Sequence, residues 1–258
     1  MFEIFIVSIV TFSAAILTFF SGFGLGTILT PVMMIFFPTE VAIAFTGLVH
    51  FSNNIFKFFL VGKNIDKKVL IRFGLPSVIA ALIGSYLLVL IDDNIVIFSY
   101  YFFDKKIDVI LVKFLISILL IIFAIIDLIP QVKNLHFDEK YLPLGGFLSG
   151  FFGGLSGNQG ALRSAFLVKH GLEKSVFVAT TVAISSLVDI TRLSVYSTNF
   201  MNLNYSDFYQ LGFFSVVSAV AGSLIGNKLL KKVTIEQIKK LVALLLILLG
   251  ISLLIGIL

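Results

Sequence analysis

The sequence predicts an all-α polytopic membrane protein of two inverted repeats, each a glycine-rich broken or re-entrant helical hairpin plus three transmembrane helices. Three observations lead there. The first is composition: of 258 residues, 59% are apolar and 13% charged, with a mean hydropathy of +1.09. A soluble domain carries about 25% charged residues, so most of this surface cannot face water. The second is an internal repeat. "GLPSVIAALIGS" (74–85) and "GFFSVVSAVAGS" (212–223) align without gaps. "SGFGLGTILTP" (21–31) and "GLSGNQGALRS" (154–164) each follow one apolar helix and open another, and "AIAFTGLVHFSNN" (42–54) parallels "VFVATTVAISSLV" (176–188). The third is the placement of the basic residues.

Taken in chain order, the first element is an apolar helix over 2–20. Its start, "MFEIFIV", lacks the basic region and small-residue cleavage site of a signal peptide and reads as mature chain. A glycine break at 21–26 opens a short helix over 27–36. Apolar stretches of roughly bilayer-spanning length follow at 41–61, 73–91 and 109–129. The polar "QVKNLHFDEKY" joins repeat 1–130 to repeat 131–258. The second repeat opens with a short helix at 142–155, a break at 156–160 and a short helix at 161–169. Three spans complete it, the last at 241–258. At 1.5 Å per residue the short helices reach about halfway across the hydrocarbon, which suggests hairpins with tips near the bilayer middle.

The lysines favour inversion. If the breaks lie inside continuous spans, the basic loops 62–72 and 227–240 face opposite sides. If the breaks are hairpins, four basic clusters share one side: Lys63/Lys67/Lys68/Arg72, Lys133/Lys140, Lys169/Lys174 and Lys228/Lys231/Lys232/Lys239/Lys240. These are 13 of the 19 basic residues, as the positive-inside rule requires. Both termini are then expected outside the cytoplasm. The same rule reads the net charge of +5 as loop lysines rather than a nucleic-acid surface. With no cysteine, no P-loop and no metal-ligand motif, neither a cofactor nor an enzymatic role is expected.

Broken helices within inverted repeats are the plan of secondary transporters, with substrate held between the repeats. In "SGNQGALRS" the helix starting near Gly160 offers unpaired N–H groups and the positive end of its dipole, a seat for an anion. Gly157 and Gly160 permit close backbone approach, Asn158 and Gln159 add amide donors, and Ser164 adds a hydroxyl. Arg163 adds a planar fork suited to an oxyanion, the alternative being an ion pair with Asp189 or a place at an interface. The first break supplies Gly24, Gly26 and Thr27 as the opposite wall, with Thr30 its other polar side chain; a glycine-permitted helix crossing is the alternative. In "LVHFSNNIFKF", His50, Asn54 and Lys57 share a helical face. Asn54 is a candidate ligand, while Lys57 either snorkels towards the cytoplasmic loop or meets substrate. His50 and Asp189 are candidates for proton coupling, against plain interhelical hydrogen bonding. Arg192, three residues after Asp189, reads as its partner near the outer surface.

At these residues the chain resembles the TauE/SafE sulfite-exporter-like family, also called toluene sulfonate uptake permeases. The resemblance rests on the two glycine-rich breaks, "SGFGLGTILTP" and "SGFFGGLSGNQGALRS", and on the helical unit of each half. The second break departs from the glycine-run-then-proline pattern: Asn158 and Gln159 interrupt it, and Ala165 stands where a counterpart of Pro31 is expected. The resemblance implies secondary, proton-linked transport of small sulfur-containing anions such as sulfite, sulfonates or sulfoacetate across a prokaryotic plasma membrane, without a cofactor. The expected partners are that anion, the lipid bilayer and protons, with a homodimer left open. The alternatives are a passive anion channel and a membrane scaffold that transports nothing.

Overall fold

The computed structural model describes residues 2–21, 24–91, 94–129, 137–169, 172–200, 205–229 and 235–257. Helices occupy nearly every apolar stretch, since a backbone in lipid must satisfy its own hydrogen bonds. The first half contains α1 (Phe2–Ser21), α2 (Gly26–Phe36), α3 (Thr39–Val61), α4 (Lys67–Leu90) and α5 (Leu111–Leu128). The second contains α6 (Leu142–Ser156), α7 (Gly160–Lys169), α8 (Lys174–Phe200), α9 (Tyr205–Leu229) and α10 (Ile235–Leu254). All three expected short helices are present: α2, α6 and α7 are 11, 15 and 10 residues long. Among the described residues, four other helices are long and apolar enough to cross a bilayer. The chain is a multi-pass, essentially helical membrane protein.

Small residues decide which helices touch. Gly146, Gly150 and Gly154 recur every four residues along one face of α6. A Cβ on each would fall 2.2, 2.0 and 2.4 Å from the carbonyl oxygens of Phe73, Ser77 and Ala81, themselves four apart on α4. The two backbones therefore run parallel and too close for any side chain between them. The Ser77 hydroxyl donates across the seam to the Gly146 carbonyl at 2.9 Å. The same device joins α9 to α1: Gly222 lies against Phe12 and Ala15, and Gly226 against Ile16 and Phe19, again in parallel. By contrast α10 meets α5 antiparallel, with Gly250 against Ser117 and Ile121, and Gly256 beyond it against Ile107 and Asp108. α3 and α8 also cross antiparallel, since Gly47 lies against Arg192 while Asn54 reaches Asp189.

The second break folds back on itself. Gly145 lies against Phe166 and Gly153 against Gln159, so α6 and α7 form an antiparallel hairpin. Gly157 ends α6 in the left-handed region, φ 74°, donating its N–H to the Gly153 carbonyl at 3.0 Å. Glycine adopts that conformation without a Cβ clash.

One end of the bundle gathers the 62–72 segment, Glu139 and the start of α8. Lys68 and Arg72 pair with Glu139 at 2.6 and 2.9 Å, and the Asp66 N–H donates to the Thr180 hydroxyl at 3.0 Å. Lys133, Lys231, Lys232 and the boundary between the two halves at 130/131 lie outside the described residues.

A two-stranded hairpin, β1 (Val96–Phe102) and β2 (Lys105–Ile110), stands at the other end, and no reading of the sequence anticipated it. Phe103 and Asp104 both have positive φ, 45° and 59°, as a primed two-residue turn demands. Register places Phe98, Tyr100 and Phe102 opposite Val109, Ile107 and Lys105 on one face, and Ser99 and Tyr101 opposite Asp108 and Lys106 on the other. The Ser99 hydroxyl and the Lys106 ammonium hold the Asp108 carboxyl below the usual carboxylate range. Tyr100 ties the hairpin to the Ile255 carbonyl at the end of α10.

Candidate functional site

The two glycine breaks, 131 residues apart in sequence at Gly26 and Gly157, meet inside the bundle. A Cβ on Gly26 would lie 3.2 Å from the Gly157 carbonyl oxygen. The starts of α2 and α7 thus share one buried region, walled by the crossing of α3 and α8. Thr27 caps the first break by donating to the Gly24 carbonyl at 2.7 Å. Ser149 pins the second through the Gln159 carbonyl at 2.9 Å. Gly24, at φ 84°, lies so close to His50 that a Cβ would fall 2.8 Å from its Nε2.

The sequence-derived candidates converge here. His50, Asn54, Asn158, Gln159, Arg163, Ser164, Thr27 and Asp189 are all buried, none more than 2% exposed. Asp189 is the hub. Its Oδ2 accepts from His50 Nδ1 at 2.6 Å and from Asn54 Nδ2 at 3.1 Å. Its Oδ1 accepts from Gln159 Nε2 at 3.2 Å and from Arg192 Nε at 3.0 Å. Arg163 donates Nη1 to Gln159 Oε1 at 3.0 Å, so the Gln159 amide bridges Arg163 to Asp189. A carboxylate only accepts, so Nδ1 of His50 carries the proton in that bond and Nε2 faces Gly24.

Two expectations are corrected. Arg192 does pair with Asp189, with Nη2 2.8 Å from Oδ1, but both side chains are 0% exposed and belong to the core rather than the outer surface. Lys57 does not snorkel: it is 3% exposed, with its ammonium 5.0 Å from the centre of the Phe19 ring. Arginine spacing alone could not distinguish a surface pair from a core pair. Its companion Gly47, which leaves room for the guanidinium, was the available signal.

The electrostatics follow from a short inventory. Among the described residues the buried basic side chains are Lys57, Arg163 and Arg192, against the single buried carboxylate Asp189, to which His50 is bonded. Arginine keeps its proton even when buried, so two guanidiniums face one carboxylate and the site is electropositive whatever Lys57 and His50 do. Several polar atoms in it make no hydrogen bond within the protein: both side-chain amide atoms of Asn158, Thr30 Oγ1, Thr46 Oγ1 and Arg192 Nη1. Buried polar groups without partners are costly; Asn158 Nδ2, Arg192 Nη1 and the two threonine hydroxyls can donate to an acceptor placed among them, whereas Asn158 Oδ1 can only accept. A family model described as Sulfite exporter TauE/SafE matches residues 7–253, nearly the whole chain. No curated protein matches it.

Proposed function

This chain belongs to the sulfite exporter TauE/SafE family, a family of membrane transporters for sulfur anions, and from that premise we propose that it is a secondary permease for a small sulfur oxyanion or organosulfonate such as sulfite or sulfoacetate. The observation that carries the reading is the buried excess of positive charge where the two breaks meet. Asn158, Gln159, Arg163 and Ser164 from the second half, Asn54 from α3, and the backbone at Gly24, Gly26, Thr27, Gly157 and Gly160 form the binding region. The anion replaces lost hydration with fixed donors and offsets cations that a lipid-embedded core otherwise holds at high cost.

The halves, 1–130 and 131–258, act as inverted repeats that gate around this site. Support comes from the packing. A two-fold axis lying in the membrane plane makes equivalent helices on the axis antiparallel, as α5/α10 and α3/α8 are. It makes α1/α9 and α4/α6 reciprocal parallel pairs. Both termini then lie outside the cytoplasm of a prokaryotic cell, and alternating access follows from rocking one repeat against the other. Transport is coupled to protons through the His50–Asp189 pair, whose 2.6 Å bond joins the two halves at their crossing.

Arg163→Gln tests the assignment. The purified variant is expected to remain folded but to lose thermal stabilisation by sulfite and sulfoacetate. Stabilisation equal to that of the unaltered protein contradicts it.

A further inference from the structure

Arg192 and Thr30 stand outside the binding set assigned above, yet they converge on one point. A Cβ on Gly157 would lie 3.0 Å from Arg192 Nη1 and 3.1 Å from Thr30 Oγ1. Both atoms are buried and hydrogen-bonded to nothing in the protein. They come from opposite halves, Thr30 from α2 and Arg192 from α8, and both close on Gly157, whose lack of a Cβ lets the two donors come to one spot. Asn158, with both amide atoms unpartnered, is the next residue along. Asp189 meanwhile engages Arg192 through Nε and Nη2 only, at 3.0 and 2.8 Å and on a single oxygen, leaving Nη1 turned towards Gly157.

We infer that Arg192, Thr30 and Asn158 form the direct seat of the anion over Gly157, and that Asp189 is an internal competitor that holds the Arg192 guanidinium in the absence of cargo. This rests on the anion-permease reading and adds residues and a sign to it. A tetrahedral or pyramidal oxyanion presents several acceptor oxygens at once. One accepts from Arg192 Nη1 and the Thr30 hydroxyl, and another from the Asn158 amide. Charge-assisted bonds of this kind are the strong ones. The carboxylate shares the same guanidinium, so every increment of attraction it exerts is withheld from the ligand. Competition of this sort keeps the resting site closed upon itself and lets bound anion leave.

Sulfite titrated against purified protein, read as a shift in melting temperature, tests the seat in three variants. Thr30→Val removes one hydroxyl at nearly constant volume and is expected to weaken sulfite about tenfold. Arg192→Lys keeps the charge but loses the fork, with a loss of about tenfold or more. Asp189→Asn removes the competitor, so sulfite is expected to bind about tenfold more tightly although the unliganded protein melts lower. A purely structural Asp189 makes binding weaker or unchanged, and that result overturns the competitor. If Asp189→Asn does not fold, Thr30→Val alone decides the seat. A normal response of the unaltered protein to sulfite, unchanged in Thr30→Val and Arg192→Lys, overturns the seat and leaves the permease reading standing. An unaltered protein that responds to neither sulfite nor sulfoacetate overturns both.

Discussion

Lys57 shows how single side chains in this protein trade stability for charge. Its ammonium lies over the Phe19 ring in a core that also holds Arg163 and Arg192, without a carboxylate of its own. An aromatic face returns only part of the hydration a buried ammonium gives up. Replacing it with the similarly shaped Met is expected to stabilise the unliganded protein by roughly 1 kcal/mol or more, seen as a higher melting temperature. The same change weakens sulfite several-fold under conditions where Lys57 is protonated, because the site then loses a positive charge. A variant that gains stability with unchanged sulfite affinity removes Lys57 from the electrostatics of the site. At this scale the sequence was legible in part. His50, Asn54, Gln159, Arg163 and Asp189 stand out because polar residues in an apolar chain need partners, and they were found together. Arg192 and Lys57 were misplaced, because a helical i, i+3 pair looks the same at a surface or in a core, and a long lysine can reach either way. Thr30 was noticed, but its meeting with Gly157 depends on a fold-back no spacing rule contains.

At the scale of elements, the decisive feature is how tightly α6 lies on α4. A Cβ on Gly150 falls 2.0 Å from the Ser77 carbonyl oxygen, backbone that cannot swing aside, whereas one on Gly74 meets only side chains at 3.6 Å and beyond. Gly150→Ala is therefore expected to destabilise by about 1–3 kcal/mol through overpacking. Gly74→Ala in the same helix pair is expected to be neutral or to stabilise by up to about 1 kcal/mol through helix propensity. Equal effects in a melting experiment contradict the close α4–α6 seam. The breaks and short helices were readable because glycine runs interrupt apolar periods so abruptly, and the boundaries fell within a residue or so of α2, α6 and α7. The β1–β2 hairpin was not seen, since nearly all of it falls between the spans expected at 73–91 and 109–129, in a stretch read only as a connection. The aromatic "VIFSYYF" before "FD" carried the strand signals.

For the whole molecule, the sense in which the halves are related fixes where cargo can enter and leave. Cysteines introduced singly at Lys67, Lys240 and Glu3 of this cysteine-free chain report it directly. Membrane-impermeant thiol labelling is expected to reach Lys67→Cys and Lys240→Cys from the same side and Glu3→Cys from the other. Labelling of the first two from opposite sides makes the halves parallel and removes alternating access about an in-plane axis. The proposed repeat rests on matched motifs and on the distribution of lysines. Which helices pair across it was not legible, because small residues line many faces and only the backbone contacts choose among them.

Everything functional depends on the two glycine breaks bringing donors together in a buried, electropositive place proposed to seat an anion. The most direct measurement is a structure determined with sulfite bound. Density for the anion is expected between the starts of α2 and α7, within hydrogen-bonding reach of Asn158 and Arg192 and over Gly157. Sulfite found instead at the rim beside Lys67, Lys68 and Arg72, with the region around Gly26 and Gly157 closed to it, contradicts the site and the transport mechanism built upon it.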